Sequence, residues 1–427
     1  HGRDGDTGED GGGGGFAGAG EEIAPTRERR DFVSVGGGTG RERLVHAFIL
    51  ASGAARAKYG FAVPRDVPAS AAASENGASL GVDSPLSDRS CSHRPHRSMK
   101  RILGILVLLI VVYLATWVMS DLLTGRQSFL SAFNQENLLR RTALFGIIGV
   151  GVAFVIITGG IDLSIGSVVC LVGVGFPWLV TQQAVPMPVP VCLLIVLAVV
   201  LGIGLFHGFL VTYGRLQPFV VTLCGLLLYR GITRGFTGDQ TAGFGNELKG
   251  LRWLANGEIP LTAQFGIPVP CLILAVVAVA AGIFLNRTVY GRHLLALGNN
   301  EEAARFAGVR TKRITILAYV ISSFLAGLGG LLFVLDTNSA QPADFGNFYE
   351  LFAIAAAVLG GCSLRGGSGT ILGVIIGTAL IQLLRNMITL VDEIPQNIEF
   401  AVIGAVILAG AIGDEVAKWF VAKRRNT

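Results

Sequence analysis

Charge is what this sequence lacks most. Asp, Glu, Lys and Arg make up 15% of its 427 residues, where a soluble domain carries about a quarter. With 51% hydrophobic residues and a mean hydropathy of +0.60, this excludes an ordinary soluble protein and predicts a membrane protein. Cysteine is thin as well. The six cysteines (Cys91, Cys170, Cys192, Cys224, Cys271, Cys362) form no CxxC and no Cys/His cluster, which excludes a disulfide framework or a zinc site and leaves them as small apolar residues. No G-x-x-x-x-G-K-[ST] phosphate loop occurs, so the chain has no usual means of binding ATP. No HExxH and no paired catalytic acids occur, and the apolar part, 99–427, holds no Gly-x-Ser-x-Gly turn, which argues against an intramembrane enzyme. The net charge of +5 fits loop charges that orient a membrane protein, not nucleic-acid binding.

The apolar residues that are present are unevenly placed. Residues 1–98 are rich in Gly, Ala, Ser and Arg, and "GEDGGGGG" and "SHRPHRS" have no helical or strand period, so they cannot bury a core. They are expected to be a disordered extension, an upstream translated segment outside the working protein; a regulatory or targeting tail is the alternative. The first methionine, Met99, opens "MKRILGILVLLIVVYLATWVM", which reads as a membrane protein's beginning. From there a transmembrane domain is expected over 99–427. A spanning helix needs about 20 apolar residues, and ten candidates follow: about 102–119, 142–158, 163–182, 190–212, 216–235, 268–286, 314–335, 350–362, 370–390 and 397–413. The eighth is short. The fold class is therefore all-α and polytopic, because such runs are too long for barrel strands. Lys100 and Arg101, the basic loop 287–313, and the terminal Lys418, Lys423, Arg424 and Arg425 place both termini in the cytoplasm; Arg140 and Arg141 count against this. Segments 236–267 and 336–349 then face outward together.

Two stretches carry most of the chemistry. "ITGGIDLSIGS", Ile157 to Ser167, puts Asp162 between paired glycines and serines inside an apolar region. Gly159 and Gly160 break the second span, and Gly166 permits close packing. Either Asp162 or Ser164 caps the next helix, or Asp162, Ser164 and Ser167 line a pathway or gate, since an intramembrane acid must face protein or water. The loop "RTVYGRHLLALGNNEEAARFAGVRTKR" is expected to hold one short charged helix. Glu301 and Arg305 stand i,i+4 as an acid–base pair, alanines favour helix, and Gly298 and Gly308 bracket it. A solvated connector and a docking helix are both compatible with this.

Four stretches in order resemble a known family: "VIITGGIDLSIGS" (155–167), "YGRLQPFVVTL" (213–223), "YGRHLLALGNNEEAARFAGV" (290–309) and "SAQPADFGNFYELFAIAAAVLGGCSLRGGSGTILG" (339–373). The chain is similar to permease subunits of sugar-importing ATP-binding-cassette systems of the ribose/xylose/galactose branch. The resemblance spans nearly all of 99–427. It departs where Asn299 follows Gly298, at Ala307, and at Phe352, where the family often has an acid. It implies import of a monosaccharide, a ribose-like pentose or a hexose, across a bacterial plasma (inner) membrane. It implies an ABC ATPase subunit that uses the ATP, a periplasmic or lipid-anchored solute-binding protein, a homodimer in membrane lipid, and no cofactor or metal in this chain. The implied ATPase-docking residues are Gly298, Asn300, Glu301, Ala304, Arg305 and Gly308. Gln341, Pro342 and Glu350 become candidate contacts for the binding protein.

The remaining residues read as structural. Gln217 and Pro218 start a span. His207 and His293 lack metal-ligand spacing and are assigned no chemistry. Arg230 and Arg234 are expected to snorkel to the interface, and "GGSG" (366–369) is a turn. The competing function is an ion-coupled secondary carrier, which needs more coupling acids than Asp162.

Overall fold

The computed structural model describes residues 96–124, 129–181, 187–262, 264–390 and 398–405, with positions 408 and 412. They lie in Arg89–Thr427, the second of two units into which the chain divides. The extension expected up to residue 98 falls, through residue 95, outside the described residues, as do Cys91, Lys418, Lys423, Arg424 and Arg425.

Among the described residues, seven helices are long and apolar enough to cross a membrane. They are α1 (His96–Thr124), α2 (Ala132–Ile157), α4 (Val189–Thr212), α5 (Pro218–Thr237), α7 (Val269–Arg287), α10 (Thr311–Thr337) and α12 (Ile371–Leu390). Shorter apolar helices α3 (Ile165–Thr181) and α11 (Tyr349–Leu359) complete the set, and residues 399–405 are helical where the tenth span was expected. At about 1.5 Å per residue, the 11 residues of α11 reach about half of a 30 Å hydrocarbon core. Outside the spans stand α6 (Lys249–Asn256), α8 (Val289–Asn299) and α9 (Glu301–Phe306).

The bundle is organised around α2 and α10. In α2, 83% of the most apolar window is buried, against 6% in α1, so α2 is core and α1 turns its apolar residues outward. α10 packs on α2, α3 and α4. Its approach to α4 is set by Gly204 and Gly208, one turn apart. A Cβ at Gly204 would lie 2.6 Å from the Val320 Cα, and one at Gly208 2.7 Å from the Ile316 Cα; small residues at this spacing let helix backbones meet inside a membrane.

The two ends of the bundle are distinct. At one, β1 (Ala242–Gly243) pairs antiparallel with β4 (Ser339–Ala340), Ala242 opposite Ala340, and β2 (Glu258–Pro260) pairs with β3 (Gly266–Pro268). The segments expected to share a face are thus joined. At the other, Gly367 N donates to Ile157 O at 2.9 Å, and Gly298 packs on the same pair.

Two expectations are corrected. α2 starts ten residues earlier than the apolar run, so Arg140 and Arg141 lie in a helix and not a loop. Its polar first turns are held from outside the helix: Asn134 exchanges hydrogen bonds with Asn386, Glu136 accepts from Gly266 N at 2.7 Å, and Arg140 pairs with Glu258 at 2.5 Å. The 287–313 loop holds two helices, α8 and α9, because Asn300 leaves helical geometry and its side chain accepts from Ala303 N at 2.9 Å, restarting the chain as an N-cap.

Candidate functional site

The site begins where α2 ends. Thr158, Gly159 and Gly160 donate back to Val155, Ile156 and Val155, and Gly159 adopts φ +84°, a left-handed conformation that suits glycine and closes the helix. Gly160–Ser164 then run without regular structure into α3. Val168 N donates to Ser164 O at 2.9 Å, so Ser164 occupies the N-cap position.

Asp162 is fully buried. Its Oδ1 accepts from Ser164 N at 3.0 Å and from Ser164 Oγ at 2.6 Å. Its Oδ2 accepts from Ser322 Oγ of α10 at 2.9 Å. Asp162 therefore fixes the turn that enters α3 and does not cap the helix's first turn. Ser167 Oγ donates to Ser164 O at 2.6 Å, and Thr222 Oγ1 of α5 to Ile161 O at 3.1 Å.

His207 of α4, read from the sequence as a lone histidine, joins this cluster through hydrogen bonds. It is fully buried, with Nε2 2.8 Å from the Tyr229 hydroxyl and Nδ1 3.5 Å from Ser164 Oγ. The Ser164 proton points to Asp162, so Ser164 can only accept from His207. The network therefore assigns the proton to Nδ1 and makes Nε2 the acceptor from Tyr229. One hydrogen-bond chain thus ties the 160–164 segment to α4, α5 and α10. Sequence reasoning missed His207, Tyr229, Thr222 and Ser322. The only signal was a polar stripe on α10: Tyr319, Ser322 and Ser323 at i, i+3 and i+4 share a face. The hydroxyls of Tyr319 and Ser323 are buried with no partner.

The predicted docking residues divide. Asn300, Glu301, Arg305 and Gly308 are exposed, and Gly308 ends α9 at φ +83°. Ala304 is buried. A Cβ at Gly298 would collide with Ile157 O and Gly367 N, so that glycine seats the helix pair on the bundle. The expected Glu301–Arg305 pair does not form: the ion pairs among the described residues are Arg140–Glu258, Arg234–Asp239 and Arg385–Glu399. An exposed i,i+4 pair is worth only about 0.3–0.5 kcal/mol, too little to hold two side chains. Phe306, unnoticed in the sequence, is 84% exposed at the end of α9.

The 341–350 segment is more buried than expected. Gln341 is exposed, but Pro342 and Glu350 are buried. A Cβ at Gly166 would overlap the Glu350 carboxylate, so the bare Cα of Gly166 makes room for it, and neither residue offers its side chain to a partner here. Arg230 does not snorkel: its Nη1 donates inward to the carbonyls of Pro342 (3.4 Å) and Ala343 (3.2 Å). Arg234 does face outward and pairs with Asp239 at 2.6 Å.

Residues 134–411 match the family model for the branched-chain amino acid transport system / permease component. The chain is 37% identical to the ribose import permease protein RbsC of Haemophilus influenzae over 290 residues, covering 67% of this chain and 86% of that one. It is 36% identical to RbsC of Bacillus subtilis over 319 residues, 73% and 91% of the two chains. With the xylose transport system permease protein XylH of Haemophilus influenzae it shares 32% over 336 residues, 66% and 88%. No solved structure matches the chain.

Proposed function

The chain belongs to the branched-chain amino acid transport system / permease component family, and from that membership we propose how its two polar regions divide the work of an importer. It is the permease subunit of an ATP-binding-cassette importer for a monosaccharide, a multi-pass protein of a bacterial inner membrane. The observation that carries this is similarity over 86–91% of the length of ribose and xylose permeases. ATP is hydrolysed by a partner ATPase, and a solute-binding protein delivers the sugar.

The exposed face of α9, with Asn300, Glu301, Arg305, Gly308 and Phe306, docks the ATPase. Phe306 supplies the apolar anchor and the charges set register. Gly298 and Ala304 act behind that face and hold it in place. The Asp162 cluster, with Ser164, Ser167 and the turn at Gly159–Gly160, is the gate. Gln341 remains the candidate contact with the binding protein. Both termini are cytoplasmic, the α8–α9 end faces inward, and the permease works as a homodimer in lipid.

Affinity purification from native cells in mild detergent tests this. The ATPase subunit should co-purify with the wild-type permease and be depleted by Glu301→Arg or Phe306→Ala. If no ATPase is recovered and vesicles move sugar down an ion gradient, the protein is a secondary carrier. The family description also names branched-chain amino acids, so leucine belongs in the transport panel.

A further inference from the structure

We propose that the buried face of α10 bearing Tyr319, Ser322 and Ser323, together with Asp162, is a hydroxyl-recognising station for the transported monosaccharide. This deepens the importer function above and rests on it. The cluster holds unused hydrogen-bonding capacity at one depth in the bundle. The Tyr319 hydroxyl is fully buried and has no partner. It lies against Gly160, where a Cβ would stand 2.9 Å from it, two residues from Asp162. The Ser323 hydroxyl is buried without a partner one turn along the same face. Between them, Ser322 donates to Asp162 Oδ2. A carboxylate has about four acceptor sites, and Asp162 uses three.

Folding does not account for this arrangement. A buried hydroxyl without a partner destabilises the fold, and phenylalanine would fill the space of Tyr319 without that cost. A ligand that both donates and accepts at several points accounts for it. A monosaccharide presents a ring of such groups; a branched-chain amino acid presents donors and acceptors only at its ammonium and carboxylate end. A bound cation fits poorly, because no group of three or more His, Cys, Asp or Glu occurs among the described residues. The depth is also suitable: Ser322 is eleven residues into α10, roughly 17 Å at 1.5 Å per residue, about halfway across the hydrocarbon core. The station is closed here. It opens when the 160–164 segment parts from α10, and the sugar's hydroxyls then take the unfilled positions.

The test uses the full permease with its ATPase and binding protein in vesicles, with D-ribose and its monodeoxy analogues as probes. Tyr319→Phe and Ser323→Ala each remove one oxygen. For each variant, ribose uptake should fall about tenfold, the equivalent of one hydrogen bond. One deoxy analogue should be moved at the wild-type rate, because the hydroxyl that the variant no longer reads is already missing. Tm should hold or rise. Comparing the same analogue in variant and wild type cancels discrimination by the binding protein. Parallel loss for ribose and every analogue with a lower Tm means a structural role and overturns the proposal. Unchanged uptake for every probe overturns it too. If the wild-type complex hydrolyses ATP but moves leucine and none of the sugars, the sugar-importer assignment falls and takes the station with it.

Discussion

The chain keeps its polar residues in two opposite settings. Around Asp162 they are fully buried and bonded to one another across four elements. Along α9 they are exposed, and the acid and base that could have paired do not. Burial makes each hydrogen bond in the first region expensive to lose. Exposure makes each charge in the second nearly neutral for folding. The cluster should therefore couple stability to transport, while the docking face should affect transport alone.

The sharpest break is expected at Asp162. Asp162→Ala strips the partners of Ser164 and Ser322 in a buried site, and about 3 kcal/mol of stability should go with the buried hydrogen bonds that are lost. Uptake should fall to background, and thermal unfolding of the detergent-solubilised protein should begin at lower temperature. An Asp162→Ala protein as stable as wild type would erase the distinction between the two regions.

Phe306→Ala comes next and should do the opposite. With 84% of the residue exposed, its loss should leave Tm within about a degree, because surface changes stay within roughly 0.5 kcal/mol. ATPase recovery should drop about tenfold or more if Phe306 is the docking anchor. A fall in Tm without loss of ATPase would show that it packs against this chain instead.

How much of this was legible in the sequence follows from the same contrast. Span positions were, because apolar length is a one-dimensional signal: α4, predicted at 190–212, runs Val189–Thr212. Asp162, Ser164 and Ser167 stood out as polar residues in an apolar run. Their partners did not, because Ser164 meets His207 across 43 residues and Asp162 meets Ser322 across 160. Packing, not spacing, decides such pairs. Arg230 and Glu350 failed for a related reason: the backbone carbonyls at 342–343 and the bare Cα of Gly166 are backbone features that no side-chain pattern announces. The early start of α2 was hidden because Asn386 and Glu258, far along the chain, satisfy its polar turns.

His207 tests the inside of the cluster. His207→Leu keeps volume but removes the partner of Tyr229 and the weaker contact with Ser164. About 1–2 kcal/mol should be lost, less than at Asp162, because two contacts go instead of three. His207→Asn, which can still bond one side, should recover part of the uptake.

The smallest effect is expected from Glu301→Gln. Among the described residues Glu301 has no ion-pair partner, and it sits in the first turn of α9. What it gives the fold is its interaction with the helix N-terminus, about 0.3–1 kcal/mol at low ionic strength. Raising salt screens that term, so the Tm difference between Glu301→Gln and wild type should shrink toward zero as salt increases. ATPase recovery should fall more than Tm, since the charge faces outward where a partner would read it. If the Tm loss is instead large and indifferent to salt, Glu301 is part of the core's support, and the division between a structural interior and a functional surface breaks at that residue.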